Sequence, residues 1–469
     1  MEALSFSRFT SERGTRMIRK WTIAIASLTL LLVLAACGSG NGTDKKAAEP
    51  AGDGGAPKKD DIATRIAEAT AKPVVINVFE NSSTYTQEQF MDLYGSKIQK
   101  KYPNLSFKAY SANKANGGGT LPELIAQGVS IDLVKVSGAS FYSLMSDNRL
   151  ENDVSDLIKL YGYDVNKLYP AILDQMKQFG TNGQMYGIPN ATVSTALFYN
   201  KDIFDKFGVA YPKDGMTWDD VYELARKLTR QDGGVQYMGF QEGYGHLFPV
   251  NQLSQGYIDT KTNKATLNND NWKKIIENFA RFHRIDGNAF VPSYVDPFWK
   301  DGRVAMVAAQ SGGSWDFANT TTINWDLVEL PRFKDAPKAG PGLQLPFYAI
   351  SSTSKNRNQA FLAAAYIGSE EFQKEFAKLG YVPPIKIDNL MSVLGTGVPK
   401  LAGKNLKAAV PLEAAASPYP FNSYFSQVPG FLNTAYTTVV GGQKDANTAL
   451  REAEEAANKK IEEAIAAKK

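Results

Sequence analysis

The side chains with the widest chemical repertoire are scarce in this sequence: two histidines, His246 and His283, and one cysteine, Cys37. The histidines do not stand at HExxH or HxxxH spacing, and a single thiol makes no internal disulfide, CxxC redox pair or thiolate zinc site. No metal site is expected, and each histidine reads as a surface or hydrogen-bonded residue. The sequence holds no GxSxG nucleophile turn and no GxxxxGK[ST] phosphate loop. Gly117-Gly118-Gly119 ahead of a helix has the form of an anion cradle, but a bare glycine run reads as a loop.

Two serine patterns are weighed and set aside. Ser111–Lys114 fits SxxK and Ser146–Asn148 fits SDN, two of three signatures of penicillin-recognising enzymes. The third, KTG, is missing, and Ser352–Lys355 fits SxxK again, which shows how cheap that pattern is. A glycosidase needs two carboxylates at a defined separation; with 48 acidic residues a pair can always be imagined. The expectation is a protein that is not an enzyme, with no catalytic residue and no cofactor.

Cys37 is explained by its surroundings. Arg19 and Lys20 precede a mostly apolar run from Trp21 to Ala36, which ends Leu34-Ala35-Ala36-Cys37-Gly38. A basic n-region, a short apolar h-region and small residues at the cut make a secretory signal. The run is too short to span a hydrocarbon core of about 30 Å comfortably. Leu34–Cys37 resembles the lipobox of bacterial lipoproteins. That resemblance implies a lipidated Cys37 at the mature N-terminus, held to a membrane by roughly 0.8 kcal/mol per buried methylene. Met17 makes a better start than Met1, since Met17-Ile-Arg-Lys begins an n-region directly.

Charge and composition narrow the partners. The 52 basic and 48 acidic residues leave +4, with no basic block to grip phosphates, so nucleic acid is excluded as a partner. At 469 residues with 43% hydrophobic content, two or three domains are expected, each large enough to bury a core. Residues 38–61 hold no large apolar side chain and read as a flexible tether of about 25–30 Å.

From there strands and helices alternate. Pro73–Phe79 is a β-branched run, 87–101 has helical spacing (Phe90, Leu93, Ile98), and Leu105–Tyr110 is the next strand. Leu121–Gln127 is a helix stopped by Gly128, and Ile131–Val136 is a third strand, a βαβαβ rhythm that predicts a mostly parallel sheet. Further on, Thr217–Asp220 has the form of a capping box, leading Val221, Leu224, Ala225 and Leu228 along one helix face. Leu450, Ala453, Ala457, Ile461 and Ile465 form the stripe of a C-terminal helix.

Several blocks then stand in a familiar order. They are Leu124–Gly128, Gly183–Pro189, Leu197–Phe204, Phe207–Val209 with Thr217-Trp218, Phe298–Met306 with Ser314-Trp315, Leu330-Pro331, and Ala349–Ser351 with Lys355-Asn356 and Ala360. Together they resemble the extracellular solute-binding proteins of ABC importers, specifically the carbohydrate-type family that includes maltose-binding protein. The resemblance spans about 73–465. It implies an α/β, two-lobed periplasmic-binding-protein-like fold with crossing hinge strands and a ligand cleft between the lobes. Mapped here, 1–36 is the lipoprotein signal peptide and 37–61 the lipidated Cys and tether. The N-lobe is 62–192 plus 348–380, and the C-lobe 198–342 plus 386–469. The crossings fall near 193–197, 343–347 and 381–385.

The resemblance further implies a monomer on the extracytoplasmic face of the bacterial membrane, lipid-anchored, that captures a small-molecule ligand by lobe closure and passes it to ABC permease subunits. The expected ligand is a sugar, an oligosaccharide. Alternatives are a non-sugar solute on the same scaffold, a secreted lipoprotein enzyme acting on polysaccharide, and a sensor subunit for a membrane kinase. Ligands of doubly wound sheets sit beyond the carboxyl ends of strands, which selects Glu80 and Asn81 after the first strand and Ser137 and Gly138 after the third. Trp315 and Tyr244 stand where relatives place cleft aromatics. Tyr348 and Phe425, the latter in an aromatic, Pro-rich stretch with Tyr419, Phe421 and Tyr424, are expected walls. Trp218 is expected to pack, as are Trp272, Trp299 and Trp325.

Overall fold

A computed structural model describes residues 59–82, 85–112, 118–180, 182–311, 321–410, 416 and 420–467. The expected leader with Cys37, most of the expected tether, and Trp315 lie outside the described residues. The first helix, Lys59–Ala69, begins inside the stretch expected to be tether.

The strands in chain order are β1 (Val74–Glu80), β2 (Leu105–Ser111), β3 (Leu133–Ser137), β4 (Gly187–Pro189), β5 (Thr195–Asn200) and β6 (Arg230–Asp232). They continue as β7 (Val235–Glu242), the short ribbon β8 and β9 (Ile258–Asp259, Lys264–Ala265), β10 (Val304–Gln310), β11 (Trp325–Glu329) and β12 (Pro346–Ile350). The βαβαβ rhythm folds as expected: β1 lies parallel to β2 on one side and to β3 on the other. The run 87–101 is helical throughout, with a π turn over Met91–Gly95, and buries Phe90 and Ile98 against the sheet.

Two five-stranded sheets result, in the orders β2-β1-β3-β12-β4 and β11-β5-β10-β7-β6. The late strand β12 enters the first sheet between β3 and β4, antiparallel to both. Gly187 is obligatory in β4, because a Cβ there would stand 2.1 Å from the Tyr348 carbonyl oxygen. In the second sheet β10 runs antiparallel to β5 and parallel to β7. Trp218 packs as expected: it is 2% exposed, and its indole N–H donates to Gln252 Oε1 (3.1 Å). Trp272, Trp299 and Trp325 are core residues as well.

Between β4 and β5 the chain passes from one sheet to the other, and between β11 and β12 it returns. The passing segments are tied together. Thr192 N donates to Val382 O (2.8 Å), and Val193 and Gln344 exchange both backbone bonds (2.9 and 2.8 Å). The chain beyond 386 first lies against the helix Glu370–Lys378, with Gly395 N on Ala377 O and Gly397 N on Lys378 O. It reaches the second sheet near Lys404 and Asn405, which bond Trp325 and Asp326.

Candidate functional site

Where the two sheets face each other, the ends of their elements enclose a chamber of about 280 Å³. One wall is Ser137, Gly138 and Ser140 at the end of β3, with Gln175 from the helix Pro170–Lys177. The opposite wall is Pro249–Asn251 with Phe421 and Phe425, and the segment Gly342–Leu345 between β11 and β12 runs along it. No described residue lining this chamber carries a formal charge.

Gly138 opens the turn after β3 at φ +30°, and a Cβ there would lie 3.5 Å from the Phe421 ring. Phe421 therefore spans the chamber. Its ring stacks near Phe179 (centroids 6.4 Å) and meets Phe425 (4.8 Å), while Tyr142 Oη donates to its carbonyl (3.0 Å). Ser137, Gly138 and Phe425, all selected from the sequence, thus meet in one place.

A second hollow of about 410 Å³ opens at the ends of β7 and β10, lined by Tyr244, Tyr294, Gln310 and Asn433 among others. Gln310 Nε2 donates to Gln344 Oε1 (2.7 Å), linking a residue of this hollow to one of the chamber. Tyr244 is half-buried here, 5.0 Å from the Tyr436 ring. The end of β7 that carries it is pinned by a buried carboxylate, Glu242. Tyr436 Oη donates to Glu242 Oε1, and His283 Nε2 lies 3.0 Å from Oε2. The other ring nitrogen of His283 lies 3.3 Å from the Asn288 carbonyl. Both ring nitrogens face acceptors, an arrangement that only the doubly protonated imidazolium satisfies. Burial pulls the His283 pKa down, but the Glu242 charge and these hydrogen bonds outweigh it, and the net shift is upward. His283 is thus the hydrogen-bonded histidine the sequence suggested; His246 is exposed.

Two expected ligand residues are engaged with each other within the first sheet. Glu80, Lys135 and Tyr348 sit side by side in one row across β1, β3 and β12. Neighbours in such a row share a face of the sheet, and here they satisfy one another. Tyr348 Oη donates to Glu80 Oε1, and Lys135 Nζ pairs with Glu80 Oε2 (3.2 Å). The ammonium also stands over the rings of Tyr85, Tyr94 and Tyr348 at 5.0–5.9 Å. Glu80 is 1% exposed and Tyr348 fully buried; neither lines the chamber, and Glu80 borders a separate hollow with Tyr85 and Gln87. Burial, then the Glu80 charge, drives the Tyr348 hydroxyl well above its ordinary pKa. Asn81, one residue on, is exposed.

Gln175, Gln344 and Asn251 were not singled out from the sequence. Gln175 had a legible mark: a polar residue on the buried face of an amphipathic helix, beside Ile172 and Met176. Gln344 and Asn251 had none, since their lining role depends on where the crossing segment and the turn after Phe248 come to lie.

Two sheet-based lobes, each fed by separated stretches of chain, with a neutral chamber between them, define an α/β solute-binding protein of the two-lobed kind. The comparisons make the family explicit. Residues 94–387 match the family described as bacterial extracellular solute-binding protein, and the chain belongs to it. The arabinooligosaccharide-binding protein of Bacillus subtilis is 28% identical over 63% of this chain and 70% of its own length. The sn-glycerol-3-phosphate-binding periplasmic protein UgpB of Rhizobium meliloti is 22% identical over 74% of this chain and 86% of its own. Among solved structures, the ABC substrate-binding protein Lmo0181 of Listeria monocytogenes, in complex with cycloalternan, superposes with a TM-score of 0.67 at 18% identity. It covers 83% of this chain and 99% of that one. The family is one of extracellular solute-binding proteins, and the Listeria neighbour is an ABC substrate-binding protein. No helix among the described residues is long and apolar enough to cross a membrane.

Proposed function

We propose that this protein is the receptor of an ABC importer for an uncharged sugar, an oligosaccharide, which it captures by lobe closure and hands to permease subunits. The observation that carries the reading is the chamber itself: amide and hydroxyl groups with two phenylalanine rings, and no charge among its described lining. Sugars present apolar ring faces edged by hydroxyls, and such a wall suits both. In this reading the ligand contacts are Ser137, Gly138 and Phe425, with Tyr244, Asn81 and Trp315 reached by further sugar units. The lobes divide near 62–192 plus 348–380 and 198–342 plus the chain from about 404, with the expected second-lobe stretch after 386 first packing on the first lobe, and hinge at the three passing segments. Cys37 carries the lipid, which keeps the receptor on the extracytoplasmic face.

The similarity to UgpB supports a second ligand class, a phosphate ester. A phosphate would call for a cation or helix N-terminus aimed at it, and Lys135 is already spent on Glu80. Calorimetric titration with maltotriose, arabinotriose and mannobiose, against sn-glycerol 3-phosphate, separates the two. We expect heat with a neutral oligosaccharide and none with the phosphate; the reverse result overturns the sugar.

A further inference from the structure

The helix Pro170–Lys177 turns Ile172 and Met176 fully inward, and Gln175 lies beside them at 7% exposure, lining the chamber. Among the described residues no hydrogen bond ends on its carboxamide; only its backbone carbonyl is used, by Gln178 N (3.2 Å). Most of the other polar groups on the chamber wall are committed. Ser140 Oγ accepts from Ser137 N and donates to Ser137 O, both at 2.8 Å. Asn251 Nδ2 donates to Phe248 O and Gln255 O, and its Oδ1 accepts from Gln255 N. Gln344 Oε1 accepts from Gln310. Gln175 is thus nine-tenths buried as a residue, while its carboxamide has no protein partner among the described residues and is left to whatever occupies the chamber it lines. An amide left open in this way suits a ligand that supplies the partner, and the chamber that Gln175 lines is a space in which such a ligand could stand.

We propose that Gln175 is the specificity-determining residue of this chamber, its carboxamide taking hydroxyl groups of an uncharged polyol or sugar held against Phe421 and Phe425. The inference rests on the sugar-receptor reading above. A carboxamide offers one donor end and one acceptor end, which matches hydroxyls that do both. It neutralises no charge, so it selects against phosphate and carboxylate ligands. Phe421 and Phe425 add the apolar face that a pyranose or furanose ring covers.

The test uses the full chain and its Gln175→Leu variant, with calorimetric titration against maltotriose, arabinotriose, mannobiose and sn-glycerol 3-phosphate, and thermal melting of both proteins without ligand. Leucine keeps the shape and removes the bare amide. We expect the variant to melt no lower than wild type while its affinity for the sugar that wild type binds falls about tenfold to a hundredfold. Lost affinity at unchanged or raised stability is the mark of a group kept for the ligand. If wild type and variant bind the same sugar equally well, Gln175 is not the reader and the sugar reading stands without it. If the variant melts well below wild type, the residue belongs to the fold and the proposal falls. If wild type binds only the phosphate ester, or none of the four probes, the sugar reading and this inference fall together.

Discussion

At the scale of single residues, two buried carboxylates show how a polar side chain at a strand end is either presented or consumed. Glu80 and Glu242 both close a strand that points toward the facing lobe, and both are turned inward onto a cation and a tyrosine hydroxyl. Breaking a buried pair by removing one partner is costly, because the other charge stays desolvated. Glu242→Gln is therefore expected to lose on the order of 3 kcal/mol, read from denaturant unfolding. The loss has a pH signature. His283 has a raised pKa in the folded protein. Its pairing thus stabilises fully below the ordinary histidine value of about 6.5 and fades as pH rises through the folded value. Without the carboxylate, burial is opposed only by the Asn288 carbonyl, and the stabilisation linked to the bound proton shrinks. The stability gap between wild type and Glu242→Gln should be widest near pH 5.5 and narrow toward pH 9; a gap that stays constant would mean the histidine is neutral throughout.

At the scale of elements, local signals and close approaches govern different things. The capping box formed as its spacing predicts: Thr217 Oγ1 accepts from Asp220 N, and Asp220 Oδ2 accepts from Thr217 N (2.8 Å). Thr217→Ala should cost about 1 kcal/mol, measurable by chemical denaturation. The same helix, Trp218–Leu228, is held against β7 by something its sequence does not announce. A Cβ on Gly239 would stand 2.2 Å from the Ala225 carbonyl oxygen, so helix and strand meet with no side chain between them. Gly239→Ala forces them apart and is expected to cost about 1–3 kcal/mol. A variant as stable as wild type would show that the helix can ride outward without loss. The C-terminal helix Ala446–Ala467 buries Leu450, Ala453, Ala457 and Ile461 as its periodicity predicts.

At the scale of the whole molecule, the chain passes between the sheets at the segments around Asn190–Thr195, Gly342–Leu345 and 381–385, and side chains such as Phe421 add contacts across. Ser194 Oγ and Thr195 Oγ1 are buried there without a partner, and each unmade bond at a crossing is a cost that rearrangement can relieve. A ligand that binds both lobes should shift the population toward closure. We expect the radius of gyration from solution scattering to fall when a bound sugar saturates the protein, and the melting temperature to rise. At 100 times the dissociation constant the stabilisation is about 2.7 kcal/mol. Melting that rises without a change in scattering would mean the lobes are already closed. Replacing Cys37 by serine should release the protein from membranes into the soluble fraction, checked by fractionation; a variant that stays bound would remove the lipid from the account.

What the sequence by itself determined is what depends on near neighbours. Period-two and period-3.6 patterns set the strands and helices, Thr217 and Asp220 set a cap, and ordered blocks set the family. Ser137 and Gly138 were legible through the rule that ligands lie beyond strand ends, and Phe425 through its aromatic, Pro-rich surroundings; the three line one chamber. What the tertiary structure alone decided is which distant residues become neighbours. Nothing near Glu80 in the chain shows that β12, more than 260 residues later by the 268-residue separation of its hydrogen bond to Tyr348, will lie two strands away. That placement brings Tyr348 and Lys135 into its row and ties up the carboxylate. Nothing near Gln175 shows that Asn251, Gln344 and Phe421 will close a chamber around it. Those meetings arise when the chain passes three times between its two sheets, and they are settled by packing across long sequence separations rather than by any residue's own preference.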